Sequence, residues 1–136
     1  MTPPPWVAWV QRLDRHRMGI LLSLLLITRG LWLLAPWWDT FRASPVNNFY
    51  VQQVAPEEWW GAWALLIGVG QLIATVQEGR AARAVTALFA ASYWSSTALL
   101  VWLASGWAAV GPIHFSLFAF TCLWVFWRTI WRIDDD

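Results

Sequence analysis

Residues 59–83 read WWGAWALLIGVGQLIATVQEGRAAR, and this stretch decides the fold. From Trp59 to Gln77 it carries no charge. That run has close to the ~20 apolar residues needed to cross a hydrocarbon core of roughly 30 Å. Tryptophans stand at one end and Arg80 and Arg83 at the other, the arrangement of an aromatic belt opposite a cytoplasmic basic link. Inside the run, Gly61, Ala64, Gly68, Gln71, Thr75 and Glu78 recur at spacings of three and four, which places them on one helical face. Small residues let two helix backbones approach, and Gln and Thr can hydrogen-bond across the contact.

Working outward, comparable apolar runs span about 19–37, 84–104 and 112–131. The third carries its own small-residue face through Ala84, Ala87, Ala91, Ser95 and Ala98. In a bilayer only helices and closed barrels satisfy their own backbone groups, and no strand-like alternation is present. The expected fold is therefore an all-α integral membrane protein with four transmembrane helices. The short links 78–83 and 105–111 make neighbours antiparallel in a bundle, with the second helix expected at its centre. Basic residues precede the first run, but its length and the lack of a small-residue cleavage site make it an uncleaved span.

The arginines orient this bundle. Arg12, Arg15, Arg17, Arg80, Arg83, Arg128 and Arg132 fall at the face holding both termini, whereas Arg42 alone falls opposite. The positive-inside rule then puts both termini in the cytoplasm. The expected location is a bacterial cytoplasmic (inner) membrane. Only 12% of the 136 residues are charged, against about a quarter in soluble domains. A nucleic-acid partner is not expected, because no basic stripe lies away from the membrane boundary. The implied partners are the lipid bilayer and a membrane protein or a second copy.

Residues 1–18 form the remaining N-terminal unit. Trp6, Trp9, Val10 and Leu13 share one face, with Gln11, Arg12, Asp14 and Arg15 on the other, so a short amphipathic helix lying in the interface is expected. Residues 19–132 make the transmembrane domain and 133–136 an acidic tail. In the long loop 39–58, Ser44-Pro45 is expected to start a short helix with Val46, Phe49, Tyr50 and Val54 on one face. Pro56 then opens the second span, with Glu57 and Glu58 in its first turn.

The tryptophans read first as interfacial anchors. Trp37, Trp38, Trp59, Trp60, Trp63, Trp102 and Trp107 form an outer belt, and Trp6, Trp9, Trp127 and Trp131 an inner one. The other reading is an aromatic cage using Trp32, Trp94 or Trp124 inside the spans. Arg29 breaks the pattern as a charge within a span. At mid-span an arginine costs about 2.5–3.5 kcal/mol even on insertion scales, so it should find a partner. Gln71, deep in the second span, is the candidate. The Arg29–Gln71 pair reads either as a clamp fixing two helices or as a substrate, anion or proton site.

No metal site is expected. Cys122 is the single cysteine, and the eight residues separating it from His114 are too far apart along one helix to share an ion. His114, Thr121 and Arg128 share a heptad face that reads as an inward polar stripe. No nucleophile motif, phosphate loop or paired-carboxylate site occurs, so no enzyme activity and no cofactor are expected.

Gly30–Leu34 through Trp38-Asp39-Thr40-Phe41, then Ser44-Pro45, Pro56–Gly61 and Gln71-Leu72, resembles small uncharacterised four-span membrane proteins encoded in bacteriophage genomes. The resemblance implies a phage or prophage origin and no particular activity. The leading expectation is a non-enzymatic multi-pass accessory, assembly or interaction component. A holin-like permeabilising protein is the alternative, and a small transporter or cofactor-binding membrane subunit the third.

Overall fold

A chain this apolar has to satisfy its backbone locally, and the regular structure of the described residues is helical throughout. The computed structural model describes residues 4–7, 17–36, 39–43, 48–105 and 110–131. Six helices are bounded there: α1 Arg17–Leu34, α2 Thr40–Ala43, α3 Phe49–Val54, α4 Glu57–Val76, α5 Arg80–Ser105 and α6 Val110–Trp131. Four of them, α1, α4, α5 and the Gly111–Trp131 part of α6, are long and apolar enough to cross a membrane. Of the N-terminal unit, residues 5–7 are helical and Trp6 is exposed, while the rest of the expected interfacial helix lies outside the described residues.

Local chemistry sets the helix limits. The first span stops at Leu34 rather than near residue 37, because Pro36 disfavours a helical residue before it. Asp39 then caps α2, accepting from Arg42 N at 2.9 Å and pairing with Arg42 Nε at 3.0 Å. Pro56 stands at the N-cap of α4, and Glu57 and Glu58 fill its first turn, where carboxylates suit the helix dipole. Glu78, at φ 57°, turns the chain out of α4 into α5, which begins at Arg80. Pro112 sits in the first turn of α6, where its missing N–H leaves no bond unmade.

The helices pack as two antiparallel hairpins, α1 with α4 and α5 with α6, joined mainly by α4 against α5. In the first hairpin the glycines set the approach. A Cβ on Gly30 would lie 2.7 Å from Leu65 N and 2.8 Å from Gly61 O, and one on Gly68 would lie 2.9 Å from Ile27 N. Gly61, Ala64, Gly68, Gln71 and Thr75 are all buried along this contact. In the second hairpin Arg80 of α5 clamps the end of α6. Its Nε donates to Thr129 O at 3.0 Å and its Nη2 to Ile130 O at 2.5 Å, placing a cation at the negative end of that helix.

The centre is α5, not α4. Half of its apolar window is buried, against 33% in α4 and 11% in α6. Because α5 meets α4 on one side and α6 on the other, it buries two faces: Ala84, Ala87, Ala91 and Ala98, and also Ala90, Tyr93, Trp94, Thr97 and Val101. Ser95, expected on the packing face, is exposed. Trp94, one position earlier on the three-residue spacing from Ala91, takes that place. The heptad of His114, Thr121 and Arg128 is not an inward stripe either, since His114 and Arg128 are exposed.

Candidate functional site

Hydroxyls within the spans mostly bond back to their own helices. Ser23 donates to Gly19 O at 2.6 Å, Thr75 to Gln71 O at 2.7 Å and Thr97 to Tyr93 O at 2.9 Å. Ser116 and Thr129 do the same in α6, toward Pro112 O and Val125 O. This is how a short polar side chain is satisfied where water is excluded. The guanidinium of Arg29 has no such local solution, and it reaches across to the other hairpin.

Arg29 Nε donates to Tyr93 Oη of α5 at 3.3 Å. Its Cζ lies 4.9 Å from the ring centre of Phe115 in α6 and 5.7 Å from that of Trp94 in α5. A desolvated cation over an aromatic face gains about 2 kcal/mol. The rings around it form a continuous cluster. Trp94 stacks on Phe115 at 5.7 Å and tilts against Phe118 at 4.9 Å, while Tyr93 meets Trp94 edge-on at 5.4 Å and Trp60 at 5.7 Å. Four helices thus contribute to one arginine clasp: α1 gives the cation, α4 Trp60, α5 Tyr93 and Trp94, and α6 Phe115 and Phe118.

Gln71 is not the partner. The glycine contacts place Gly30 beside Gly61 and Leu65, Gly68 beside Leu26 and Ile27, and Gly19 beside Thr75. In that antiparallel register Arg29 stands level with Leu65, six residues and about 9 Å along the axis from Gln71. Gln71 is 2% exposed, and its Oε1 has no hydrogen-bond partner among the described residues. A buried acceptor left unpaired costs about 1–3 kcal/mol. Gln71→Met should therefore raise the thermal unfolding midpoint in detergent, whereas a role in holding Arg29 would lower it.

No protein-family model matches this chain, and neither a curated protein nor a solved structure is similar to it. Among the described residues no three His, Cys, Asp or Glu side chains gather as metal ligands, and Cys122 is buried as a lone thiol.

The tryptophans divide differently from the two belts. Trp59, Trp127 and Trp131 are exposed, and the last two rings meet at 5.0 Å. Trp9, Trp37, Trp38 and Trp107 lie outside the described residues. Trp60 instead turns inward, donating from Nε1 to Val51 O at 3.1 Å while its ring meets Tyr93. That bond seats α3, whose buried residue is Val51; Phe49, Tyr50 and Val54, expected to share one face of this helix, are exposed. Trp60→Phe keeps the ring and removes the N–H, so α3 should become more sensitive to limited proteolysis between residues 43 and 55. Unchanged cleavage would show that this bond does not seat α3.

Of the proposed cage residues, Trp94 lies in the clasp, whereas Trp32 and Trp124 are 50% and 60% exposed. Tyr93 and Phe115 were not singled out from sequence. Tyr93 had one available signal: it is the lone tyrosine within any span, and a buried phenol needs a polar partner.

Proposed function

We propose that this chain is a non-enzymatic multi-pass membrane protein that acts as an accessory or assembly component. Its four spans form one antiparallel bundle in a bacterial cytoplasmic membrane, with both termini in the cytoplasm. Support for the orientation comes from Arg17, Arg80 and Arg83 at helix starts and Arg128 in a last turn, all toward one end, with Arg42 in the loop helices at the other. The likeness to phage-encoded four-span proteins favours a phage or prophage source.

One observation carries the functional reading: the charge inside the spans is used to join the two hairpins. Arg29 donates its hydrogen bond to Tyr93 of α5 and lies over aromatic rings of α5 and α6. A transport path ordinarily lines up several ionisable groups, and no carboxylate lies deeper than the first turn of α4 in any of the four spans. A protein built this way acts through its surface. Much of that surface is apolar, including Leu117, Phe120, Trp124 and Trp127 along α6.

The test is affinity capture of the full chain from membranes solubilised in mild detergent, after brief crosslinking. A defined stoichiometric membrane-protein partner is the expected result. Collapse of the membrane potential on induced expression, with no partner captured, would replace this reading with a permeabilising one.

A further inference from the structure

The clasp leaves a set of hydrogen-bond donors with nothing to receive them. On Arg29 only Nε has an acceptor; Nη1 and Nη2 have none among the described residues. Tyr93 accepts from Arg29, so its own O–H proton remains to be donated. Trp94 is 2% exposed, and its Nε1–H is buried without a partner. Three side chains in mutual contact therefore present donors, and none presents a carboxylate.

Among the described residues no acid pairs with Arg29. Between Met18 and Pro56 the lone acid is Asp39, which pairs with Arg42. Glu57 and Glu58 begin α4, about 10–12 Å along the axis from the level of Arg29 in the register set by the glycines. Glu78, beyond the far end of α4, lies still further from that level. Aromatic faces soften the cation but do not neutralise it, and an uncompensated charge in an apolar medium favours any anion that can reach it.

The route of access is lateral. α1 and α6 touch only slightly, and Arg29 is only partly buried between them. Leu21, Leu25 and Trp32 share the flank of α1 with Arg29 at spacings of three and four, and Phe115 and Phe118 form the facing rim. Arg29 lies five residues before the end of α1, about 7–8 Å along the axis, within the reach of a headgroup drawn slightly inward. The rims are apolar, as an acyl chain requires.

We propose that this notch binds the anionic headgroup of a membrane lipid, with a phosphate oxygen accepting from Arg29 Nη, Tyr93 Oη and Trp94 Nε1 and an acyl chain lying between α1 and α6. The proposal rests on the spans lying in a bilayer, which resistance of the protein to alkaline carbonate extraction tests separately.

The experiment titrates the purified full chain in dodecyl maltoside with phosphatidylglycerol, with diacylglycerol of the same chains, or with inorganic phosphate. Binding is read by native mass spectrometry and by the unfolding midpoint. Phosphatidylglycerol should give a one-to-one adduct and raise the midpoint, and the other two additions should do neither. Losing one charged contact should weaken the adduct about tenfold or more in Arg29→Gln. Tyr93→Phe, which keeps the ring and the fold, should weaken it less. Equal binding by both variants, or equal effect of diacylglycerol, overturns the proposal. An equal effect of inorganic phosphate assigns the site to a soluble anion instead. A photo-crosslinker in place of Phe115 should capture lipid, and capture of a protein would give the notch to a partner helix.

Discussion

Gly30→Leu is expected to abolish accumulation of the folded protein, and Gly30→Ala to lower its stability by about 1–3 kcal/mol, the usual range for overpacking. The reason is the identity of the neighbours. A Cβ at Gly30 would meet Leu65 N at 2.7 Å and Gly61 O at 2.8 Å, both backbone atoms that no rotamer change can move. Relief requires α1 and α4 to separate, which loosens the contact at Gly68 and shifts Arg29 away from α5 and α6. Gly70 supplies the control. Its added Cβ would meet only Thr86 Cγ2, at 3.8 Å, so Gly70→Ala should be neutral or stabilising through helix propensity, worth up to about 1 kcal/mol. Expression level and unfolding midpoint in detergent separate the pair. Equal behaviour of Gly30→Ala and Gly70→Ala would mean that close approach at Gly30 does not set the hairpin.

Trp94→Ala should have the second large effect, a loss of about 3–5 kcal/mol, as expected for truncating a large buried aromatic. Trp94 is 2% exposed and is the hub of the cluster, touching Tyr93, Phe115 and Phe118 and lying beneath the Arg29 cation. Its removal leaves a cavity between the hairpins and withdraws one of two aromatic faces from the charge. Trp124→Ala, at a residue 60% exposed, should change stability little. Chemical unfolding of both variants reads the difference, and comparable losses would show that the Trp94 cluster is no more important than surface contact.

Helix type and approximate span were legible because they depend on run length and periodicity alone. The α4 face was legible for the same reason: Gly61, Ala64, Gly68, Gln71 and Thr75 share one direction on a straight helix, and all are buried. Ser95 went astray because α5 is buried on two sides, so a single small-residue stripe could not say which of two neighbouring positions faces inward. The partner of Arg29 was illegible for a different reason. It depends on hairpin register, which the glycine contacts set, and on how the two hairpins meet; neither is written in the periodicity of one helix. Gln71 was the most polar residue available in the adjacent span, but it lies about six residues away in depth. Tyr93 lies in α5, whose central place follows only from seeing α4 on one side and α6 on the other.

The joining of the two hairpins depends on the link between Arg29 and α5. A double-mutant cycle of Arg29→Met and Tyr93→Phe, measured by reversible unfolding of the full chain in detergent micelles, tests it directly. Methionine keeps the length of the stem, and phenylalanine keeps the ring, so the cycle isolates the bond between Nε and Oη. A coupling energy of about 1–2 kcal/mol, in the range for a charge-assisted contact, is the expected result. Strictly additive losses would contradict it, showing that the cation does not join the two hairpins.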